Sequence, residues 1–136
     1  MIRNIETKDI PQVEKLMESV IDEVYANEAD SIRNVLRANF TGEGLKEMIN
    51  DKQAIFIVYE IDGNIAAFIF GFLFYKVFTI YWAYSDKAYR GKGLLKEMME
   101  WTEDKLRKEG SYKIEIYVYG KHQKFLDLSS KLGFSK

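Results

Sequence analysis

The sequence predicts an α+β protein of three layers, in which a mixed, mostly antiparallel central sheet carries helices on both faces. Hydrophobic periodicity along the chain gives segments in the order β, α, α, β, β, β, α, β, α. The tight-turn signal Asp-Gly-Asn at 62–64 joins two strands that must then be antiparallel. The final strand–helix–strand unit should be parallel and right-handed. A length of 136 residues predicts a single domain spanning residues 1–136.

The chain is predicted to open with a short strand over residues 1–7, followed by a helix. Thr7 or Asp9 is expected to cap this helix, with Pro11 in its first turn. One face of the helix is apolar and consists of Ile10, Val13, Met17, Val20, Ile21 and Val24. Helical spacing of that face predicts that it is buried.

Two further helical segments are predicted before the sheet resumes. The first runs from Ser31 to about Phe40, where the sequence TGEG interrupts it. The second is short and ends at about Asn50.

Residues 54–85 are predicted to form three consecutive strands. Ala54–Ile61 comes first, and residues 65–75 and Val77–Ser85 follow the Asp-Gly turn. The almost uncharged stretch 65–84 is also long enough to cross a membrane. Its aromatic and β-branched residues, and Lys76 at its centre, favour a buried β-hairpin instead.

The stretch AYRGKGLLKEMMEW, residues 88–101, opens the longest predicted helix. Its buried stripe is expected to contain Leu95, Met98, Met99, Thr102 and Leu106. Gly110 should end this helix, and residues 112–119 should form a fifth strand. A last helix is predicted over residues 122–132, with Gly133 as its C-cap signal.

Composition excludes several classes of function. Net charge is −1, from 20 basic and 21 acidic residues, so we expect no nucleic-acid or membrane partner. There are no cysteines and only one histidine, which excludes a disulfide framework, a thiolate nucleophile and a multi-histidine metal site. The first ten residues are charged from position 3 and do not resemble a signal peptide. A soluble, cytoplasmic protein is therefore expected.

The glycine-rich turn before the longest helix is a candidate anion site. Backbone N–H groups at the start of a helix have no intrahelical partner, and the helix dipole adds positive charge there. Gly91 and Gly93 would allow a ligand to approach this backbone closely. Four cations surround the turn against the single acid Asp86: Lys87, Arg90, Lys92 and Lys96. This charge suits a diphosphate, although an ordinary turn with solvated lysines would also have this sequence.

Two known phosphate loops do not fit this turn. The P-loop pattern GxxxxGK[ST] is absent from the chain. In the dinucleotide pattern GxGxxG, Gly91 and Gly93 fit the first two glycines, but Lys96 occupies the third position. A nucleotide-binding fold of either type is therefore disfavoured.

At this turn the sequence resembles the GCN5-related N-acetyltransferases (GNAT family). The family pattern has Arg or Gln, two residues, Gly, one residue, then Gly or Ala, between a strand and a long helix. RGKGLL supplies Arg90 and Gly93 in this frame, whereas Leu95 replaces the last small residue. IETKDIPQVEKLM resembles the family's opening strand and helix, YSDKAYRGKG its fourth strand and loop, and KLGF its closing signature. The resemblance thus extends over nearly the whole chain and implies the acyl-CoA N-acyltransferase fold.

The resemblance implies acetyl-CoA as co-substrate and no metal. The diphosphate would be bound by the N–H groups of Arg90, Gly91, Lys92, Gly93, Leu94 and Leu95. Strands four and five would diverge, leaving the backbone of Ala83, Tyr84 and Ser85 to pair with the pantetheine arm and polarise the thioester carbonyl. His122 stands where the family often has an Asn that contacts the cofactor, and a solvated residue at a helix start is the alternative interpretation.

The reaction implied is direct transfer of acetyl to a primary amine of a small molecule or peptide. Ser129 stands where many members have a Tyr that protonates the leaving thiolate, and Tyr117 stands where one branch has a Glu base. Glu115 lies two residues before Tyr117 and could act through a water. A packing role for Ser129 and a solvated role for Glu115 remain open, and an unperturbed tyrosine at position 117 would be a weak base at neutral pH. Replacement of these positions also favours an alternative, a non-catalytic CoA-binding module that regulates a protein partner.

The end of the chain departs from the family pattern. Family members usually continue past GF into further strands, whereas only Ser135 and Lys136 follow here, so C-terminal strands are expected to be short or missing. The substrate cleft would then be open, closed by a partner subunit, or incomplete in a truncated chain. An uncovered fifth strand would favour a homodimer through its edge.

Overall fold

The computed structural model describes residues 1–110 and 113–116. The chain forms two compact units, one containing Met1–Asn4 and the chain from Gln53 onward, the other containing Ile5–Lys52. The predicted helix over residues 122–132 and its Gly133 cap lie outside the described residues.

In the described residues, the first unit contains a five-stranded sheet in the order β1-β2-β3-β4-β5. The β4–β5 pair is parallel, and the other neighbouring pairs are antiparallel. The strands are β1 (Ile2–Asn4), β2 (Ala54–Ile61), β3 (Asn64–Phe74), β4 (Val77–Ser85) and β5 (Lys113–Ile116). The predicted mixed, mostly antiparallel sheet is confirmed, including the parallel final unit.

Two tight turns join the central strands. Asp62 and Gly63 have φ values of 50° and 81°, as the Asp-Gly signal predicted. Tyr75 and Lys76, at 52° and 67°, form the second two-residue turn, so Tyr75 belongs to the turn and not to β3. The long apolar stretch is therefore the β3–β4 hairpin. None of the helices in the described residues combines the length and apolar character that a membrane crossing needs.

Helix α4 (Leu94–Lys108) packs on one face of this sheet. Its predicted stripe is confirmed: Leu95, Met98, Met99, Thr102 and Leu106 are all buried. Thr102 satisfies its hydroxyl within the helix by donating to the Met98 O at 2.7 Å. From the sheet, Ile57, Ile69, Phe78 and Ile80 complete the same apolar core. Burial of this stripe is what fixes the start of α4 next to the end of β4.

Strand β4 contains a bulge at Tyr81. Phe70 pairs with Trp82 and the next β3 residue, Gly71, pairs with Ile80, so Tyr81 is an extra residue on β4. Gly71 is required at this point because a Cβ there would overlap the Thr79 O. An interior glycine in a strand is typical of such a close backbone approach.

The second unit consists of three helices, α1 (Ile10–Val24), α2 (Asp30–Phe40) and α3 (Gly42–Ile49). The apolar face predicted for α1 is buried except for Val24, which is only partly buried. Ion pairs tie α1 to α2, with Arg33 Nη2 at 2.9 Å from Asp22 Oδ1 and Arg37 Nε at 3.1 Å from Glu18 Oε2.

The start of α1 differs in detail from the prediction. Pro11 lies in the first turn, as expected. Asp9 stands at the N-cap, but its carboxylate Oδ2 accepts a hydrogen bond from the Glu6 N–H at 2.8 Å and makes no cap bond to α1. The reason is a 3-10 turn, Thr7–Asp9, which precedes α1 and uses this carboxylate for its own capping box.

We expect Gly71→Ala to lower the free energy of unfolding by about 2–3 kcal/mol, because the added methyl group meets backbone that cannot move aside. The new Cβ would overlap the Thr79 O and lie 2.9 Å from Phe78 Cε1. Urea denaturation measures the change.

Gly110→Ala is the matched control, because no atom of the described residues lies within 4 Å of a Cβ at Gly110, and the strain there comes from the positive φ of 89°. That strain should cost about 1 kcal/mol. Equal losses in the two variants would contradict the close approach at Gly71.

Candidate functional site

Strand β4 ends in a short helical turn that leads to α4. The Asp86 N–H donates to the Ala66 O at 2.8 Å, and the Asp86 O accepts from the Tyr89 N–H at 2.9 Å. Asp86 Oδ1 also accepts from the Ala88 N–H at 3.4 Å, which caps the 3-10 turn Lys87–Tyr89. These bonds fix the point at which the chain leaves the sheet.

The two glycines after this turn have left-handed backbone conformations. Gly91 has a φ of 81° and Gly93, the N-cap of α4, has a φ of 74°. Residues other than glycine rarely adopt this backbone conformation. Among the described residues, no atom lies within 4 Å of a Cβ built at either position, so this part of the chain leaves the backbone accessible. The sequence prediction of an accessible glycine turn therefore has a geometric basis.

Consecutive backbone donors line the turn and the start of α4. In the described part of the chain, the N–H groups of residues 91–96 have no acceptor. The first intrahelical bond is donated by the Glu97 N–H to the Gly93 O at 3.1 Å. The Arg90 N–H differs from the expectation, because it closes the 3-10 turn by donating to the Lys87 O at 3.4 Å. The available run of donors thus begins at Gly91.

Two cations are held beside these donors. Arg90 Nε donates to the Ser85 O at 3.1 Å, and its guanidinium carbon lies 5.1 Å from the centroid of the Tyr84 ring. Lys92 Nζ lies 5.4 Å from the centroid of the Tyr89 ring. Aromatic contacts of this kind orient a cation while leaving its charge in place. The turn therefore combines free amides, a helix N-terminus and fixed positive charge, which together favour an anion.

Leu95, which replaces the small residue of the family pattern, points away from the turn. Leu94 and Leu95 are both 7% exposed and pack in the core with Met98. The bulk of Leu95 is thus accommodated below α4, and its N–H remains one of the available donors.

The predicted pantetheine-pairing residues lie in the last part of β4. Ala83, Tyr84 and Ser85 pair on one side with residues 67–69 of β3. On the other side, pairing of β4 with β5 is described as far as Ile80. The predicted divergence of the two strands concerns residues beyond this point and lies outside the described residues, so it stays a prediction.

A contact between β2 and α4 adjoins the turn and was not predicted. Tyr59 Oη donates to Glu97 Oε2 at 2.9 Å. This hydrogen bond, together with partial desolvation and the charge of Glu97, raises the pKa of Tyr59 above its ordinary value of 10.0. The neutral hydroxyl is stabilised in the fold, so its contribution is present below pH 10 and is lost as pH rises through the raised pKa.

The candidate catalytic residues are only partly described. Glu115 is exposed on β5, and its Oε1 lies 3.0 Å from Lys113 Nζ. Tyr117, His122 and Ser129 lie outside the described residues, so the structure does not test their roles. Among residues 1–110 and 113–116, no group of three His, Cys, Asp or Glu side chains could hold a metal ion.

Sequence reasoning missed two features near the site. Tyr59 and Glu97 are 38 residues apart, and no local pattern links them. The bulge at Tyr81 did have a local signal, the interior Gly71 of β3, since a glycine within a strand indicates a bulge or a close approach.

The whole fold is shared with solved acetyltransferase structures. PaiA N-acetyltransferase of Thermoplasma acidophilum, solved with coenzyme A, matches with a TM-score of 0.87 at 19% identity, over 99% of this chain and 89% of that one. A possible acetyltransferase of Clostridium difficile 630 matches with a TM-score of 0.79 at 19% identity, over 100% and 90%. An aminoglycoside 6'-N-acetyltransferase of Acinetobacter haemolyticus matches with a TM-score of 0.77 at 10% identity, over 100% and 91%. A search of curated proteins gave no significant match.

The match to these structures shows the fold, a mixed sheet with a glycine turn of available amides between its fourth strand and a long helix. The chain belongs to the acetyltransferase (GNAT) family, whose sequence model matches residues 15–134. The resemblance found in the glycine turn and the flanking motifs is thereby confirmed, and the protein is an enzyme of the acyltransferase class.

We expect the Tyr59 hydroxyl to titrate above pH 10 in the folded protein, because its proton is held by Glu97. The difference in ultraviolet absorbance between the wild type and Tyr59→Phe isolates this residue during a pH titration. Glu97→Gln should lower the midpoint, since it removes the charge that opposes tyrosinate.

Glu103→Gln serves as the control, because it removes a carboxylate from the same helix without touching the Tyr59 hydrogen bond. An unchanged midpoint in Glu97→Gln, or an equal fall in both variants, would show that the contact does not set the pKa.

Proposed function

We propose that the protein transfers an acetyl group from acetyl-CoA directly to a primary amine of a small molecule or peptide. Membership of the family supports acyl transfer as the reaction class. The observation that carries the proposal is the run of N–H groups over residues 91–96 that lack an acceptor in the described part of the chain. Such a run at a helix N-terminus is suited to a diphosphate, which coenzyme A contains.

The residues of the turn fit a diphosphate in shape and charge. Open space beside Gly91 and Gly93 allows phosphate oxygens to reach the amides. Arg90 and Lys92 supply positive charge from side chains that aromatic rings orient. A charged hydrogen bond to phosphate is stronger than one between neutral groups, so these cations would add to the affinity.

The last part of β4 would hold the pantetheine arm. Backbone groups of Ala83, Tyr84 and Ser85 would pair with its amides, while His122 would contact the cofactor from the start of the last predicted helix. The thioester supplies an acetyl carbonyl that is already activated. The protein's contribution would be to orient this carbonyl and the amine, and to donate a backbone hydrogen bond to the carbonyl oxygen.

A primary amine must lose its ammonium proton before it can attack a carbonyl. Glu115 is proposed to accept this proton through a water, since its carboxylate is exposed to solvent on β5. Tyr117 and Ser129 are proposed as further groups for proton transfer, on the family pattern alone.

The acceptor is proposed to be a small molecule or a peptide carrying a free amine. Structural neighbours include aminoglycoside N-acetyltransferases, one solved with sisomicin, which supports a small-molecule acceptor. We further propose that residues 1–136 act as one domain, since the family match at 15–134 extends over both compact units. A homodimer through the edge of β5 is also proposed, and light scattering of the purified protein tests it.

Gly93→Glu is expected to raise the Kd for coenzyme A at least about 100-fold, or about 2.8 kcal/mol. The substitution places a negative charge beside the diphosphate and strains a position with a φ of 74°. Isothermal titration calorimetry measures the affinity.

Gly110→Glu is the control, because Gly110 has a similar φ of 89° and equally open surroundings at the other end of α4. It should bind coenzyme A like the wild type. Equal affinity in Gly93→Glu and Gly110→Glu would contradict the assignment of the turn.

Turnover separates the enzyme from a CoA-binding regulatory module. We expect release of free thiol from acetyl-CoA in the presence of at least one amine from a panel of polyamines, aminoglycosides, amino acids and N-terminal peptides. Tight binding of acetyl-CoA with no thiol release across this panel would contradict the proposed enzyme and favour the regulatory module.

A further inference from the structure

The start of α4 carries an acid close to the candidate anion site. Glu97 belongs to the first turns of α4, and its own N–H makes the first intrahelical bond, to the Gly93 O at 3.1 Å. Glu97 is therefore the residue that directly follows the run of available N–H groups, residues 91–96. A negative charge in this place is attracted by the helix N-terminus and repels an incoming anion.

Nothing in the helix itself keeps these amides occupied. The N-cap is Gly93, which has no side chain to accept a hydrogen bond. An acidic side chain in the first turn of a helix can fold back onto backbone N–H groups, as the acid at position N3 does in a capping box, and Glu97 lies one residue further on, at N4. A mobile Glu97 carboxylate would thus compete with a diphosphate for the same donors.

In the described part of the chain, Tyr59 is the hydrogen-bond partner of the Glu97 carboxylate, at 2.9 Å. The Tyr59 side chain is itself placed by the sheet, because it packs against the core beneath α4. Tyr59 pairs with Ala67, and Ala67 pairs with Ser85 at the end of β4. Tyr59 therefore lies two strands, or about 10 Å, from the residue at which β4 ends and the turn begins.

We propose that Tyr59 is a positioning residue for the diphosphate site, whose hydroxyl holds the Glu97 carboxylate on the β2 side of α4 and so keeps the amides of residues 91–96 available. This inference rests on the proposed binding of coenzyme A at the glycine turn. It assigns Tyr59 an electrostatic role that goes beyond joining α4 to the sheet.

A double-mutant cycle tests the inference with coenzyme A as the ligand. Tyr59→Phe releases the carboxylate, and we expect the Kd to rise about 3- to 5-fold in 50 mM NaCl. Glu97→Gln should bind coenzyme A at least as tightly as the wild type. In the Glu97→Gln background, Tyr59→Phe should have no effect on the Kd, because there is no charge to release.

Salt provides a second readout that a purely structural role would not move. The penalty of Tyr59→Phe should shrink in 500 mM NaCl, since interactions between exposed charges are screened. Tyr75→Phe is the matched control, because it removes a tyrosine hydroxyl from a side chain that is 93% exposed at the tip of the β3–β4 hairpin. Thermal unfolding of each variant establishes that it is folded.

The outcomes separate this inference from the function on which it rests. Failure of the wild type to bind coenzyme A would remove the proposed function and this inference with it. Normal binding by the wild type together with an unchanged Kd in Tyr59→Phe would overturn the inference alone. An equal loss of affinity in Tyr59→Phe and in the double variant would also overturn it, since the hydroxyl would then act through packing and not through the charge of Glu97.

Discussion

The start of α4 is held by apolar burial and not by a cap, and the candidate site depends on this. A Ser, Thr, Asp or Asn at the N-cap would contribute about 1 kcal/mol to helix stability, but its side chain would accept a hydrogen bond from one of the first N–H groups. Gly93, which is the N-cap of α4, does not make that contribution to helix stability. Burial of Leu94 and Leu95, which are both 7% exposed, stabilises the helix start instead, since burying a leucine side chain contributes about 1.5–3 kcal/mol. The start of the helix is therefore held by its buried side chains, while its first N–H groups stay available for a ligand.

The bulge at Tyr81 determines which β4 residues face the turn. Side chains alternate along a strand, so Phe78 and Ile80, which pack under α4, would normally be followed on that face by Trp82 and Tyr84. The extra residue reverses the alternation, as a one-residue shift of register always does. Ala83 then packs under α4, and the Tyr84 ring is on the opposite face, where it meets the Arg90 guanidinium.

The sequence predicted the parts of the fold that depend on neighbours along the chain. The buried stripe of α4, the Asp62–Gly63 turn and the limits of β4 follow from periodicity and turn chemistry over a few residues. Asp9 stands at the N-cap of α1, as one of the two predicted candidates, but its carboxylate accepts from the Glu6 N–H, because a 3-10 turn that periodicity did not predict precedes the helix. The Tyr59–Glu97 contact was beyond prediction, since it requires the register of β2 against β3 and the placement of α4 on the sheet.

Stability and binding make opposite demands on the same helix end. A carboxylate in the first turn of α4 stabilises the helix by interacting favourably with its dipole, and Glu97 provides one. An anion site at that end needs the amides free and negative charge away from them. Glu97 directly follows the donors, and a hydroxyl from β2 anchors it. This arrangement meets both demands, because the interaction with the dipole is retained while the carboxylate is held on the β2 side of α4. Tyr59 is suited to this task because its ring is fixed by packing in the core and its hydroxyl reaches beyond it.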